Sequence, residues 1–328
     1  MTSALRTARL ASDIGATVGV NRRSVLAGAG ALGAISYAGI RPALSQIFAA
    51  HHRFTVGAAE IIVISDGAMS LPVSLALPAT PRPQTEALLA VNGLPLDAIT
   101  NPVNVTIVKT GSEIILIDTG PGGEFMPGLG KFADTLEAVG IKPEMITKVI
   151  FTHAHPDHLW GVIDPLDDST RFQNASHVMT GAEFDYWHAA DVEARVAEPF
   201  KRMTAGTHRR LKLISERISK RNPGDEIAPG VVLIDTPGHT PGHVSVVITS
   251  GAERLLVGGD VLTQSIISFQ KPDWPWGPDM DADRAITSRK RTLDMLAADR
   301  IPLLGYHLPW PGLGRVERAG PAYRFVTL

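Results

Sequence analysis

The chain has 328 residues, 31 Lys and Arg against 33 Asp and Glu for a net charge of −2, and 44% hydrophobic residues. This balance supplies a buried core and argues against general disorder and against a nucleic-acid partner, which demands a basic footprint. There is no cysteine, so disulfides, thiolate metal sites and cysteine nucleophiles are excluded, and any metal must rest on His, Asp or Glu.

Near the N-terminus, Asn21-Arg22-Arg23-Ser24-Val25-Leu26 sets an arginine pair ahead of a weakly apolar, Ala- and Gly-rich run over 25–40. Charge followed by apolarity is the order of a twin-arginine export signal. The run is shorter than the roughly 20 apolar residues a spanning helix needs. The expectation is a leader over 1–45, cleaved after Ser45, and a mature domain over 46–328 that is periplasmic or secreted with no stable membrane anchor. Without the leader's five Arg and one Asp, 26 basic and 32 acidic residues remain, a net of −6. His51 and His52, close to the new terminus, are expected to be disordered.

The rest reads as one α/β domain. Short β-branched runs predict strands over 61–65, 105–109, 114–118, 148–151, 231–235, 244–249, 255–257 and 301–304. Helices are predicted over 131–139, 182–188, 192–219 with breaks at Pro199 and Gly206, and 282–298. Two Pro-bearing stretches, 71–102 and 264–279, lack either period and read as long surface loops, which in a compact domain are often binding elements.

The chemistry concentrates after the strand over 148–151, in Thr152-His153-Ala154-His155-Pro156-Asp157-His158. Three histidines and an aspartate within six positions of a strand end can turn toward one point, and imidazole with carboxylate suits zinc or another first-row metal. Three later strand ends offer more of the same chemistry: Thr236-Pro237-Gly238-His239-Thr240-Pro241-Gly242-His243, Gly258-Gly259-Asp260, and Gly305-Tyr306-His307. His177, His188 and His208 have no motif around them and read as ordinary surface or satisfied histidines.

In this chain order the motifs resemble those of the metallo-β-lactamase-fold hydrolases, from about residue 54 onward. The resemblance implies a four-layer αββα sandwich and a dinuclear site holding two divalent ions, zinc first among them. One ion would take His153, His155 and His239, the other Asp157, His158 and His307, with Asp260 bridging. Asp118, in Leu116-Ile117-Asp118-Thr119-Gly120, would orient the site from behind the ligands, and His243 would lie behind them or in the core. Such a site uses hydroxide supplied by the metals, and Asp157 is the first candidate for a ligand that also manages a proton.

Ser65-Asp66-Gly67, Leu71-Pro72-Val73 and the stretch from His307 to Gly314 look like the methyl parathion hydrolase and lactonase branch; a hydrolytic dehalogenase of chlorothalonil is a further relative. After His158 this chain has Leu159-Trp160-Gly161, where many relatives place two small residues. Trp160, Phe269, Trp274 and Trp276 could form an aromatic wall over the metals, and such walls favour flat apolar ligands. The expected substrate is therefore a small aryl phosphotriester or ester. A chlorinated aromatic and an acyl-homoserine lactone are the alternatives, with a noncatalytic metal-binding or di-iron redox protein outside hydrolysis. A homodimer stays open.

Overall fold

The computed structural model describes residues 51–328, and the expected leader with its cleavage point lies outside them. Strands β1 (His51–Val56), β2 (Ala59–Pro72), β3 (Ala98–Thr110), β4 (Glu113–Ile117), β5 (Lys148–Ile150), β6 (Ser176–Thr180) and β7 (Ile218–Arg221) form one sheet in that order. β8 (Glu226–Ala228), β9 (Val231–Asp235), β10 (Val244–Ser250), β11 (Glu253–Val257), β12 (Leu303–Leu304), β13 (Leu313–Ala319) and β14 (Ala322–Thr327) form a second, again in sequential order. The helices are α1 (Val73–Ala76), α2 (Arg82–Val91), α3 (Phe132–Ala138), α4 (Pro156–Leu159), α5 (Gly181–His188), α6 (Glu198–Ile214), α7 (Ile267–Gln270) and α8 (Ala282–Asp299).

Period-2 alternation divides each strand between two buried faces. Ile61 and Val63 of β2 meet Val231, Leu233 and Val246 of the second sheet, making the inner core. Their neighbours Ile62 and Ile64 face the opposite way, toward Phe132 of α3, Phe184 of α5 and Leu211 of α6. On the far side, Val247 and Leu256 pack on Leu293 and Leu296 of α8. The architecture is thus αββα, and both faces of the sheets are covered, which is why their strands read as continuous apolar runs. Truncating one fully buried side chain here, such as Ile61, costs about 2–5 kcal/mol.

Several expectations need correction. The stretch 71–102 is not a loop: the β2–β3 ladder continues through Leu71↔Ile99, and α2 starts at Arg82 with Pro83 in its first turn, where a missing N–H costs nothing. α6 runs through Gly206 without a break, and 218–221 is a strand. A Cβ at Gly206 would lie 2.3 Å from the Trp160 ring, so this glycine serves contact rather than bending. His51 and His52 are ordered in β1, opposite Ile64 and Val63. The 264–279 stretch is irregular apart from the single turn α7.

The topology gathers the loops that carry chemistry. β4, β5 and β6 are mutually parallel, so Asp118, the histidine segment and α5 all leave the first sheet at one edge. β11 and β12 are parallel as well and deliver Asp260 and His307. The β9–β10 connection brings His239, and the Val244 N–H donates to the Thr152 carbonyl at 3.0 Å, joining the sheets there. Among the described residues no helix is long and apolar enough to cross a membrane.

Candidate metal centre

All seven expected ligands converge at this edge. Three overlapping groups, His153 with His155 and His239, His153 with His158 and Asp260, and Asp157 with His158 and His307, each bring their donor atoms within 4.8 Å of one another. Asp260 lies between the sets: Oδ1 is 3.1 Å from His158 Nε2, and Oδ2 is 3.2 Å from His239 Nε2 and 3.3 Å from His307 Nε2. Locally, Pro156 opens the single-turn helix α4, which turns Asp157 and His158 inward to full burial.

Outer partners fix the tautomers. His158 Nδ1 donates to Asp118 Oδ2 at 2.7 Å, His239 Nδ1 to Asp279 Oδ1 at 2.8 Å, and His307 Nδ1 to the Pro102 carbonyl at 2.7 Å. Each ring therefore presents its Nε2 lone pair to the cluster, as a metal ligand must. His155 offers Nδ1 instead, 2.9 Å from His239 Nε2. His243 is spent otherwise: Nδ1 donates to the Thr236 carbonyl at 3.0 Å and Nε2 accepts the Asp260 N–H at 2.9 Å, so it holds the backbone of Asp260.

A group of metals fits these residues on one plain observation. His153 Nε2, Asp157 Oδ2, His158 Nε2, Asp260 Oδ1 and His307 Nε2 are buried and have no hydrogen-bond partner. Orphaned buried polar atoms are costly and rare, and five aimed at one another form two donor sets for divalent cations. The charges agree. Burial pulls the imidazoles down, but at His239 the Asp260 and Asp279 carboxylates, and at His307 Asp260 and Asp157, outweigh it and push the pKa up to about 9 and about 10. His155, buried and facing His239, drops to about 3. The carboxylates thus demand positive charge, which a proton or a metal ion can meet.

The donors lie at the floor of a cleft of about 700 Å³. Trp160 and Trp276 line it, as expected, and Trp160 is clamped: its Nε1–H donates to Thr207 Oγ1 at 3.0 Å, and the Arg210 guanidinium sits 4.1 Å over its ring. Two expectations fail. Phe269 is fully buried, 5.6 Å from Phe325 in the core beneath α8, and does not line the cleft. Trp274 does not line the cleft; it packs against the small cluster around α1 and α2, of which Trp276 is a buried member. The cleft takes its other aromatic walls from Phe125, Tyr186, Trp187 and Phe200, which carry no motif that would single them out in the sequence. Asp279, Glu183 and Tyr306 have no such signal either; the Tyr306 hydroxyl donates to the Asp157 carbonyl at 2.7 Å and its ring stacks on His158.

With this geometry in place, comparison with known proteins assigns the class. The sequence model of the metallo-beta-lactamase superfamily matches residues 98–305, and the chain belongs to that superfamily, a class of metal-dependent hydrolases. An N-acyl homoserine lactonase of a Bacillus species is 26% identical over 223 residues, spanning 61% of this chain and 78% of the relative. Among solved structures, AidC, a dizinc quorum-quenching lactonase in complex with a product N-hexanoyl-L-homoserine, is 28% identical with a TM-score of 0.79, over 85% of this chain and 97% of AidC. The hydrolase AbOPH of the beta lactamase superfamily is 26% identical with a TM-score of 0.77, over 85% and 98%.

Proposed function

We propose that the protein is a dizinc lactonase that opens N-acyl homoserine lactones. The observation that carries this is the joining of a two-cation donor set to the floor of a large, apolar-walled cleft; the similarity to AidC and to the Bacillus lactonase supports the substrate class. His153, His155 and His239 would hold one zinc ion, Asp157, His158 and His307 the other, and Asp260 both. When bound, such a pair supplies Lewis acidity to the lactone carbonyl and hydroxide at neutral pH.

The chain's own part is positioning. Trp160, Trp276, Phe125 and Met280 offer the acyl chain an apolar bed, so the lactone ring is delivered to the cleft floor. Burial opposes ionisation of Asp157, yet His158 and His307 hold its carboxyl well below the usual range. Asp157 thus stays a carboxylate, which suits a metal ligand that also accepts a hydrogen bond from the attacking water and orients it, rather than storing a proton. Water oxygen bonds to the carbonyl carbon, the ring C–O bond breaks, and the products are a hydroxyl, a carboxylate and one released proton.

The aryl phosphotriester or ester and the chlorinated aromatic draw on one feature only, the aromatic walls at Trp160 and Trp276. The test is a panel on zinc-loaded protein: acyl-homoserine lactones of several chain lengths, an aryl phosphotriester, an aryl ester, chlorothalonil and a β-lactam, with proton and chloride release followed. Lactones should be turned over with the highest kcat/KM. Turnover of the phosphotriester with inert lactones would replace this reading by the aryl one.

A further inference from the structure

Glu183 is fully buried in the first turn of α5 and takes no part in the chemistry above. Thr180-Gly181-Ala182-Glu183 has the spacing of a capping box, in which the glutamate turns back on its own helix start. Thr180 does cap, accepting from the Glu183 N–H, but the Glu183 carboxylate goes elsewhere. Its Oε1 accepts the Ala154 N–H at 2.8 Å and the Trp187 Nε1–H at 2.7 Å; its Oε2 accepts the Thr240 hydroxyl at 2.7 Å and the Gly242 N–H at 2.9 Å. Ala154 stands between His153 and His155, while Thr240 and Gly242 follow His239. One carboxylate therefore ties together, across the two sheets, the two loops that carry this histidine trio. The fourth donor, Trp187, lines the cleft and meets the His155 ring edge-on at 5.7 Å.

The approach is closely built. Thr180 Oγ1 also donates to the Gly242 carbonyl at 2.7 Å, and a Cβ at Gly242 would come within 2.2 Å of the Glu183 nitrogen. Four donors exhaust the four lone-pair sites of a carboxylate, and a charge-assisted acceptor inside the protein is stronger than a neutral one. We infer that Glu183 is a positioning residue for the His153, His155 and His239 donor set alone, and that it couples this set to the Trp187 wall of the cleft.

The inference rests on the metal-binding reading but not on the choice of substrate. The experiment is competition for Zn²⁺ between the protein and a chromophoric chelator, with thermal unfolding of the metal-free protein alongside. Wild type should bind two equivalents, and His239→Ala should mark the one that belongs to the trio. In Glu183→Gln, whose amide group donates where two donors already point, that same equivalent should weaken at least tenfold while the other stays within twofold. Thr240→Ala and Trp187→Phe each remove one donor, and should weaken the same equivalent by less; they carry the test if Glu183→Gln does not fold. Equal weakening of both equivalents, or none in any of the three variants, overturns the positioning role. A wild type that binds no zinc overturns the metal reading itself.

Discussion

Asp118→Asn tests how the other donor set is prepared. Asp118 has φ 60°, a left-handed conformation that Asn tolerates as readily as Asp, so the backbone need not move. Its Oδ1 accepts the Thr152 N–H, and its Oδ2 accepts both the Thr152 hydroxyl and His158 Nδ1–H, all at 2.7 Å. An asparagine that keeps its carbonyl oxygen on the Thr152 amide places its NH₂ against His158 Nδ1. The ring can then only accept there, its proton moves to Nε2, and the lone pair facing Asp157 and Asp260 is lost. Removing the outer partner of a ligating histidine typically costs ten- to a hundredfold in metal affinity, about 1.4–2.7 kcal/mol. Zinc competition should show that loss in the Asp157, His158 and His307 equivalent, with a smaller loss in the His153, His155 and His239 equivalent, because the Thr152 hydroxyl that Asp118 holds lies 3.1 Å from His153 Nδ1. If both equivalents keep wild-type affinity, or both fall equally, the tautomer argument is wrong.

Trp160→Ala should leave zinc content intact and lower kcat/KM for long-chain acyl-homoserine lactones by two- to tenfold, roughly 0.5–1.5 kcal/mol, while the shortest lactones change little; equal loss across the series would make Trp160 a structural residue only. Burial, then Arg217, lowers the His177 pKa from 6.5 to about 4, so the folded state binds fewer protons than the unfolded one between those values. The stability this gives is complete above pH 6.5 and is lost as pH falls toward 4, by up to about 3 kcal/mol; denaturant midpoints at pH 7 and pH 5 should lie closer together in His177→Phe than in wild type. Because each donor set draws on both sheets, free zinc at a hundredfold above a site's Kd should stabilise the fold by about 2.7 kcal/mol for each site filled, and chelation should lower Tm accordingly. We propose export by the twin-arginine route: changing Arg22 and Arg23 to Lys should retain precursor in the cytoplasm, and unchanged processing would reject that route.

The fold is legible in the sequence where strands are buried on both faces. The run 231–235 matches β9 residue for residue, with Val231 and Leu233 buried and Val232 and Ile234 half-buried, because apolar, mostly β-branched side chains over 231–234 leave little else to form. It is illegible where pairing, not composition, makes the strand. β7 reads Ile-Ser-Lys-Arg and is a strand because His177 and Thr180 of β6 lie beside it; β13 and β14, half exposed, pair with each other from Gly314↔Thr327 to Ala319↔Ala322. Prolines mislead in the same way at 71–102, since Pro83 inside a first turn favours a helix rather than ending one.

The site divides along a similar line. Ligands must come from short loops at strand ends, so the His- and Asp-bearing segments 153–158, 236–243, 258–260 and 305–307 stand out by residue type, whereas the ligand set itself, including His239 rather than His243, follows from the family resemblance. The groups that orient them need only reach a ring nitrogen or a loop amide from behind, and any element packed there can supply one. Asp279 arrives from the irregular stretch after α7, with Arg289 of α8 holding its second oxygen at 2.8 Å; Glu183 arrives from a helix start that looks like an ordinary cap. Asp118 is reached through the family resemblance of its strand end, Leu116-Ile117-Asp118-Thr119-Gly120, whereas the other two belong to no such motif. The same freedom governs the cleft: in a loop rich in tryptophan and proline both rings meet the cluster around α1 and α2, yet only Trp276 also borders the cavity, a difference that spacing alone does not encode. Substrate preference in this chain should therefore follow residues such as Trp160, Trp187 and Trp276, while the ligand set, fixed by strand ends, leaves the chemistry unchanged.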